Sequence, residues 1–150
     1  MTSDVRSGTG APEECVFCKI LSGDLPSRQV HADEVAVAFL DLAPFHRGHT
    51  LVVPRDHVVD VLDGPGTMAA LGPAIDATSR LLVDRLAADG LNVMSSAGRV
   101  AGQEVFHLHV HLVPRYASCP GGPALFDRDA DDSVAALDAV HQQILGPAAS

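Results

Sequence analysis

His107-Leu108-His109-Val110-His111-Leu112-Val113-Pro114-Arg115 places three of the chain's eight histidines at alternating positions in a β-prone run. Side chains at i, i+2 and i+4 of a strand share one face. The spacing therefore predicts a strand over 105–113 with a row of three imidazoles, roughly 6–7 Å apart at the backbone. Three half-buried imidazoles are costly to satisfy unless they do chemistry. The row points to a metal site, to a nucleophile with acid and base partners, or to both.

The strands outward from this run set the fold class. Arg28 to His31, Val35 to Leu40, Thr50 to Pro54 and Leu91 to Ser96 read as further strands, several rich in β-branched residues. Val16 to Leu21 suits a short helical turn. Residues 67–88 carry Met68, Leu71, Ile75, Leu82 and Leu86 on a helical stripe, with Gly90 placed to cap it. Pro73 requires this helix either to begin near Gly72 or to kink there. After a loop over 117–132, Ser133 can N-cap a last helix carrying Val134, Leu137, Val140 and Ile144, which ends at Gly146-Pro147. The expectation is an α+β fold: an antiparallel sheet of about five strands, with one long and one C-terminal helix packed on one face.

The chain's 150 residues suit a single domain over 14–146, flanked by a mobile tail over 1–13 and a frayed end over 147–150. A net charge of −9 argues against a nucleic-acid polymer as partner, though a small nucleotide's few charges can be met locally. The apolar runs are too short to span a membrane and the N-terminal residues hold no apolar signal core, which reads as a cytoplasmic protein.

Of the three cysteines, Cys15 and Cys18 form a C-x-x-C, and Cys119 stands alone as an ordinary loop thiol. In a reducing compartment the pair reads as metal-binding or redox-active rather than as a disulfide. Zinc takes thiolate and imidazole in a tetrahedral set, so two histidines would complete the site. His57 and His107 are candidates, but spacing alone does not select them from the eight. A neutral imidazole can also attack phosphorus and leave again, carrying a nucleotidyl group, with a second histidine to protonate the leaving group. His49 at the start of its strand could reach the triplet if the strands are neighbours. His31 and His141 read as surface residues.

Four segments together resemble the histidine-triad (HIT) superfamily, and within it the Hint-like branch. They are Cys15-Val16-Phe17-Cys18-Lys19-Ile20, Ala38-Phe39-Leu40-Asp41, Gly48-His49-Thr50-Leu51-Val52-Val53-Pro54-Arg55-Asp56-His57, and the run from Ala101 to Arg115. The resemblance implies a homodimer whose two sheets join, and a nucleotide hydrolase or transferase. By it, His109 is the nucleophile at the α-phosphorus, His111 contacts phosphate and helps protonate the leaving group, and His49 supports this network. Asp41 matches the ribose-hydroxyl carboxylate, and Phe17, Ile20, Leu25, Phe39, Leu40 and Leu42 match the purine-pocket segments. Ser96 and Gln103 match phosphate-side positions. Structural zinc maps onto Cys15, Cys18, His57 and His107.

The implied activity is hydrolysis of purine nucleoside phosphoramidates through a nucleotidyl-histidine. Dinucleoside polyphosphate hydrolysis, or nucleotide binding with little turnover, are the alternatives, and a third reading makes the triplet itself a zinc-hydrolase site. The chain departs from the family pattern in three places. Glu104 stands where many members carry a hydroxyl residue, Ser96-Ala97-Gly98 stands where many have Asn before Gly, and the C-terminal tail has no aromatic residue.

Overall fold

A computed structural model describes residues 12–118, 120–122, 125–128 and 130–146. Residues 1–11, Cys119 and residues 147–150, on which the expected tail, loop thiol and frayed end fall, lie outside the described residues. Five strands form one antiparallel sheet: β1 (Gln29–Ala32), β2 (Ala36–Leu40), β3 (Thr50–Pro54), β4 (Gly90–Met94) and β5 (Val110–Arg115), in spatial order β1-β2-β3-β5-β4. Among the described residues, four α-helices accompany them: α1 (Val16–Ser22), α2 (Thr67–Ala70), α3 (Gly72–Leu86) and α4 (Val134–Leu145). This is the expected α+β architecture.

Alternation along the central strands divides the core. Ala36, Ala38, Leu40, Val52, Val110 and Leu112 pack with Leu71, Ala74, Leu82 and Leu86 from the α3 region and with Ile144 of α4. Val37, Phe39, Leu51 and Val53 face the other way, onto Cys15 and Phe17. Helices therefore cover both faces, α3 and α4 on one and the short α1 on part of the other. The long and C-terminal helices share one face, as expected from sequence, and α1 adds cover on the other, so β2 and β3 are buried along their whole length.

Pro73 is accommodated at the start of α3, where the missing N–H breaks no intrahelical bond. The stripe from Met68 to Leu86 is interrupted at Leu71, which caps the one-turn α2 and precedes α3. Ala87, not Gly90, closes α3: it sits in the left-handed region at φ 52°, and its N–H donates to the Val83 carbonyl. Gly90 instead opens β4. Ser133 caps α4 as expected, its hydroxyl accepting from Ala136 N–H at 3.2 Å.

The largest revision concerns the histidine run. Strand pairing begins only at Val110, opposite Val52, so His107 and His109 precede β5 and only His111 lies in it. Three imidazoles on one regular strand face is thus not the arrangement. Leu108 N–H instead donates to the Val58 carbonyl at 2.7 Å, which ties this segment to the stretch after β3.

Gly48, one residue before His49, adopts φ 90° and faces Leu86 and Pro114 closely enough that an added Cβ would collide with the Leu86 side chain. Gly48→Ala should cost about 2–4 kcal/mol from left-handed strain plus overpacking, read as a lowered urea midpoint. A loss below 0.5 kcal/mol would contradict this account of the turn.

Candidate active site and metal centre

The register aligns one row of side chains across four strands. Phe39 of β2 pairs with Leu51 of β3, Leu51 with His111 of β5, and His111 with Met94 of β4. All four line a cavity of about 430 Å³, within the size range of small-molecule sites. His109 lies beside His111, with ring centroids 4.8 Å apart. Of the residues proposed from sequence, Phe17, Ile20, Phe39, Leu40, Asp41, Leu42, Ser96, His109 and His111 border this cavity.

Leu25 and Gln103 do not border it. Gln103 is buried, and its amide is occupied: Oε1 accepts from Gly98 N–H at 2.8 Å, while Nε2 donates to the Val59 and Val105 carbonyls. It holds the loop that carries Ser96 and Glu104 rather than facing the cavity. Asp41 uses Oδ1 to accept from Ala43 N–H, and burial raises its carboxyl above the usual range.

Backbone groups assign the protons on the imidazoles. Burial pushes His49 down to about 2 and His111 to about 4, and it lowers His109 too, so all three are neutral near pH 7. A neutral imidazole carries one N–H. His109 Nδ1 lies 2.7 Å from the His107 carbonyl, which can only accept. The proton is therefore on Nδ1, and His109 Nε2 keeps its lone pair. Phe45 N–H donates to His49 Nδ1 at 2.9 Å, so the His49 proton is on Nε2, which donates to His111 Nδ1 at 2.9 Å. His111 then carries its proton on Nε2. The pair thus offers one nucleophilic nitrogen and one donor nitrogen.

Phe45 stacks on His49 at 4.8 Å and on His111 at 5.9 Å, holding both ring planes. Phe17 meets His107 and His109 edge-on at 5.8 and 5.2 Å. Sequence reasoning passed over Phe45 and Arg128. The large aromatic four residues before His49 was a usable signal. Arg128, in a loop without motif, offered none.

Because the unfolded-state histidine value of 6.5 exceeds the folded values, the unfolded chain takes up protons that the folded chain refuses. The stability contributed by neutral His49 and His111 is present above pH 6.5 and falls as pH drops. Each residue should remove about 1.4 kcal/mol per pH unit between roughly pH 6 and 4; below that only His49 continues to do so. Denaturant midpoints measured across this window check the slope, and a flat profile would contradict the buried neutral pair.

His107 turns away from this cavity. Its Nε2 donates to the Pro54 carbonyl at 2.9 Å, and burial lowers it to about 4, which leaves a lone pair on Nδ1. That nitrogen is 3.4 Å from Cys15 Sγ, 3.6 Å from Cys18 Sγ and 3.2 Å from His57 Nδ1; Cys18 Sγ is 3.2 Å from His57 Nδ1. Tetrahedral zinc with ordinary bond lengths requires edges of about 3.4 Å between nitrogens and about 3.6 Å between nitrogen and sulfur. The measured edges fit, and the donor set suits zinc, so Cys15, Cys18, His57 and His107 could hold it.

The Cys18 thiol is pushed up to about 11 by burial and by its neighbour Cys15, the opposite of what a bound cation would impose. Among the described residues, the three histidines of the triplet do not form a common ligand set. Asp41, His49 and His111 also cluster. There, however, the His49 nitrogen facing the cluster carries a proton, as derived above, so it is not a ligand.

A protein-family model described as "HIT domain" matches residues 22–118. The Protein hit of Bacillus subtilis is 40% identical over 121 residues, covering 80% of this chain and 83% of that protein. Adenylylsulfatase HINT3 of Arabidopsis thaliana is 33% identical over 120 residues, covering 75% of this chain and 61% of that protein. A zinc-bound histidine triad family protein from Mycobacterium smegmatis superposes with a TM-score of 0.68 at 36% identity, covering 90% of this chain and 96% of that one. The domain match and the relatives agree with the histidine run over 107–111, and the chain belongs to the HIT domain family.

Proposed function

We propose that this protein is a nucleotide-binding hydrolase acting at the α-phosphate of purine nucleotide conjugates, with nucleoside phosphoramidates as substrates. The observation that carries the reading is the tautomer of His109: its Nδ1–H is held by the His107 carbonyl, so Nε2 is the free nucleophile beside His111. In the first step His109 Nε2 attacks the α-phosphorus and the bond to the leaving nitrogen breaks. His111, with Nε2–H as its donor, assists departure of the amine. Water then hydrolyses the nucleotidyl-histidine and restores His109.

The apolar walls of Phe17, Ile20, Phe39 and Leu42 suit a purine, and Asp41 suits ribose hydroxyls because a carboxylate can accept two hydrogen bonds. Ser96 is the remaining phosphate-side donor of the two expected. Zinc in the Cys15, Cys18, His57, His107 site would neutralise the thiolates and anchor the segment presenting His109. The working form is taken as a homodimer, as the family resemblance implies; among the described residues β4 is an outer strand of the sheet.

Mass spectrometry of the protein mixed with an adenosine phosphoramidate tests the reading. An adenylyl adduct on the peptide containing His109 is expected. Full turnover with the adduct elsewhere, or with none, would overturn it.

A further inference from the structure

Arg128 lies in the loop between β5 and α4 and borders the cavity that holds His109 and His111. Among the described residues lining that cavity it is the single guanidinium or ammonium. Its position is held from three directions. Nε donates to the Ala43 carbonyl at 3.0 Å, the guanidinium carbon sits 4.6 Å from the Phe45 ring centre, and one terminal nitrogen is 3.8 Å from Glu104 Oε2. The contact with Glu104 is longer than a hydrogen bond, and both side chains are substantially exposed at 44% and 77%. It is a weak pair that a ligand can exchange.

The Phe45 ring that carries the Arg128 guanidinium also stacks on His111, which puts Arg128 on the side of the donor histidine. That is where the leaving group must sit when His109 attacks in line from the opposite side of phosphorus. Arg128 acts on His49 and His111, Glu104 acts on His109, and both act on Asp41.

We infer that Arg128 is a specificity-determining residue that pairs with an anionic oxygen on the leaving group, and that Glu104 is the internal counter-ion which the substrate displaces. The inference rests on the proposed hydrolysis at the α-phosphate and deepens it. The favoured substrates are nucleotide conjugates whose leaving group bears a carboxylate, sulfate or phosphate, rather than those with an uncharged amine. Glu104 also accounts for selectivity in the other direction. A conjugate without an anion cannot release Arg128, so it gains nothing from the guanidinium and still meets the carboxylate.

The test uses matched ligands of nearly equal shape: adenosine 5′-phosphoramidates of glycine, which carries a carboxylate, and of glycinamide, which does not. Dissociation constants are measured by calorimetry in a His109→Asn background, where the ligands stay intact, and kcat/KM is measured with His109 present. The glycine conjugate should be preferred about five- to tenfold. Arg128→Gln should abolish that preference, lowering the glycine conjugate about five- to tenfold relative to the glycinamide conjugate whatever change the two share. Glu104→Gln should enlarge it, and 0.5 M salt should shrink it. Adenosine 5′-phosphosulfate, run in parallel, tells whether sulfate or carboxylate is the better-matched anion.

A preference that survives Arg128→Gln, or an equal loss for both conjugates, would overturn the inference. Absence of turnover for both conjugates, with an Arg128-dependent preference retained in binding, would overturn the hydrolase reading alone. Failure of both ligands to bind would overturn the two together.

Discussion

Replacing His109 with alanine is expected to cut turnover of an adenosine phosphoramidate by on the order of 10⁴-fold or more, because it removes the only protein atom proposed to bond to phosphorus. The adenylyl adduct should vanish with it. Folding should survive, since His109 is held chiefly by one hydrogen bond to the His107 carbonyl and an edge contact with Phe17. Nucleotide binding should persist, because the apolar walls and Asp41 remain. Loss of turnover with retained binding separates a missing nucleophile from a collapsed pocket. Retention of full hydrolysis would sink the role of His109.

The expected effect of losing the candidate metal centre is first on folding and only secondarily on chemistry. Cys15→Ser together with Cys18→Ser should abolish stoichiometric zinc binding and lower stability by about 3–5 kcal/mol, or roughly 10–20 °C in Tm for a chain of this size. The reason is the placement of the four donors. Cys15 and Cys18 belong to the start of α1, His57 follows β3, and His107 precedes β5, so one ion would join three distant parts of the chain. Prolonged treatment of the unaltered protein with a strong chelator should shift Tm in the same direction. Zinc retained at full occupancy in the double variant would sink the ligand assignment.

The two predictions meet at one residue pair. His107 Nδ1 belongs to the candidate metal cluster, while the His107 carbonyl accepts a hydrogen bond from His109 Nδ1–H. A change at the metal site would therefore reach the nucleophile through a single carbonyl. A partial loss of kcat in the cysteine variant, beyond what unfolding explains, is the expected trace of that link.

Much of this was legible in the amino-acid order. Alternation, caps and breakers located four of the five strands to within two residues, and the two long helices, since burial period and turn chemistry are local properties. The motif from Gly48 to His57 and the histidine run carried the family resemblance. The boundaries that slipped did so for tertiary reasons. The β5 pairing starts late because the preceding backbone is taken by Val58, and Ala87 rather than Gly90 ends α3 because Asp89 N–H already bonds to the Arg115 carbonyl alongside β4.

Residue types and spacing established that this chain carries a cluster of imidazoles, a cysteine pair and a sheet to hold them. Which nitrogen of each imidazole holds its proton was decided only in three dimensions. An imidazole is a ligand, a nucleophile or a donor according to which nitrogen holds its proton, and here that is set by Pro54, His107 and Phe45 backbone groups brought up by folding. Gln103 and Arg128 exchanged their apparent importance for the same reason. An amide within a motif was consumed by backbone hydrogen bonds, and a guanidinium in a loop without motif was carried to the cavity edge.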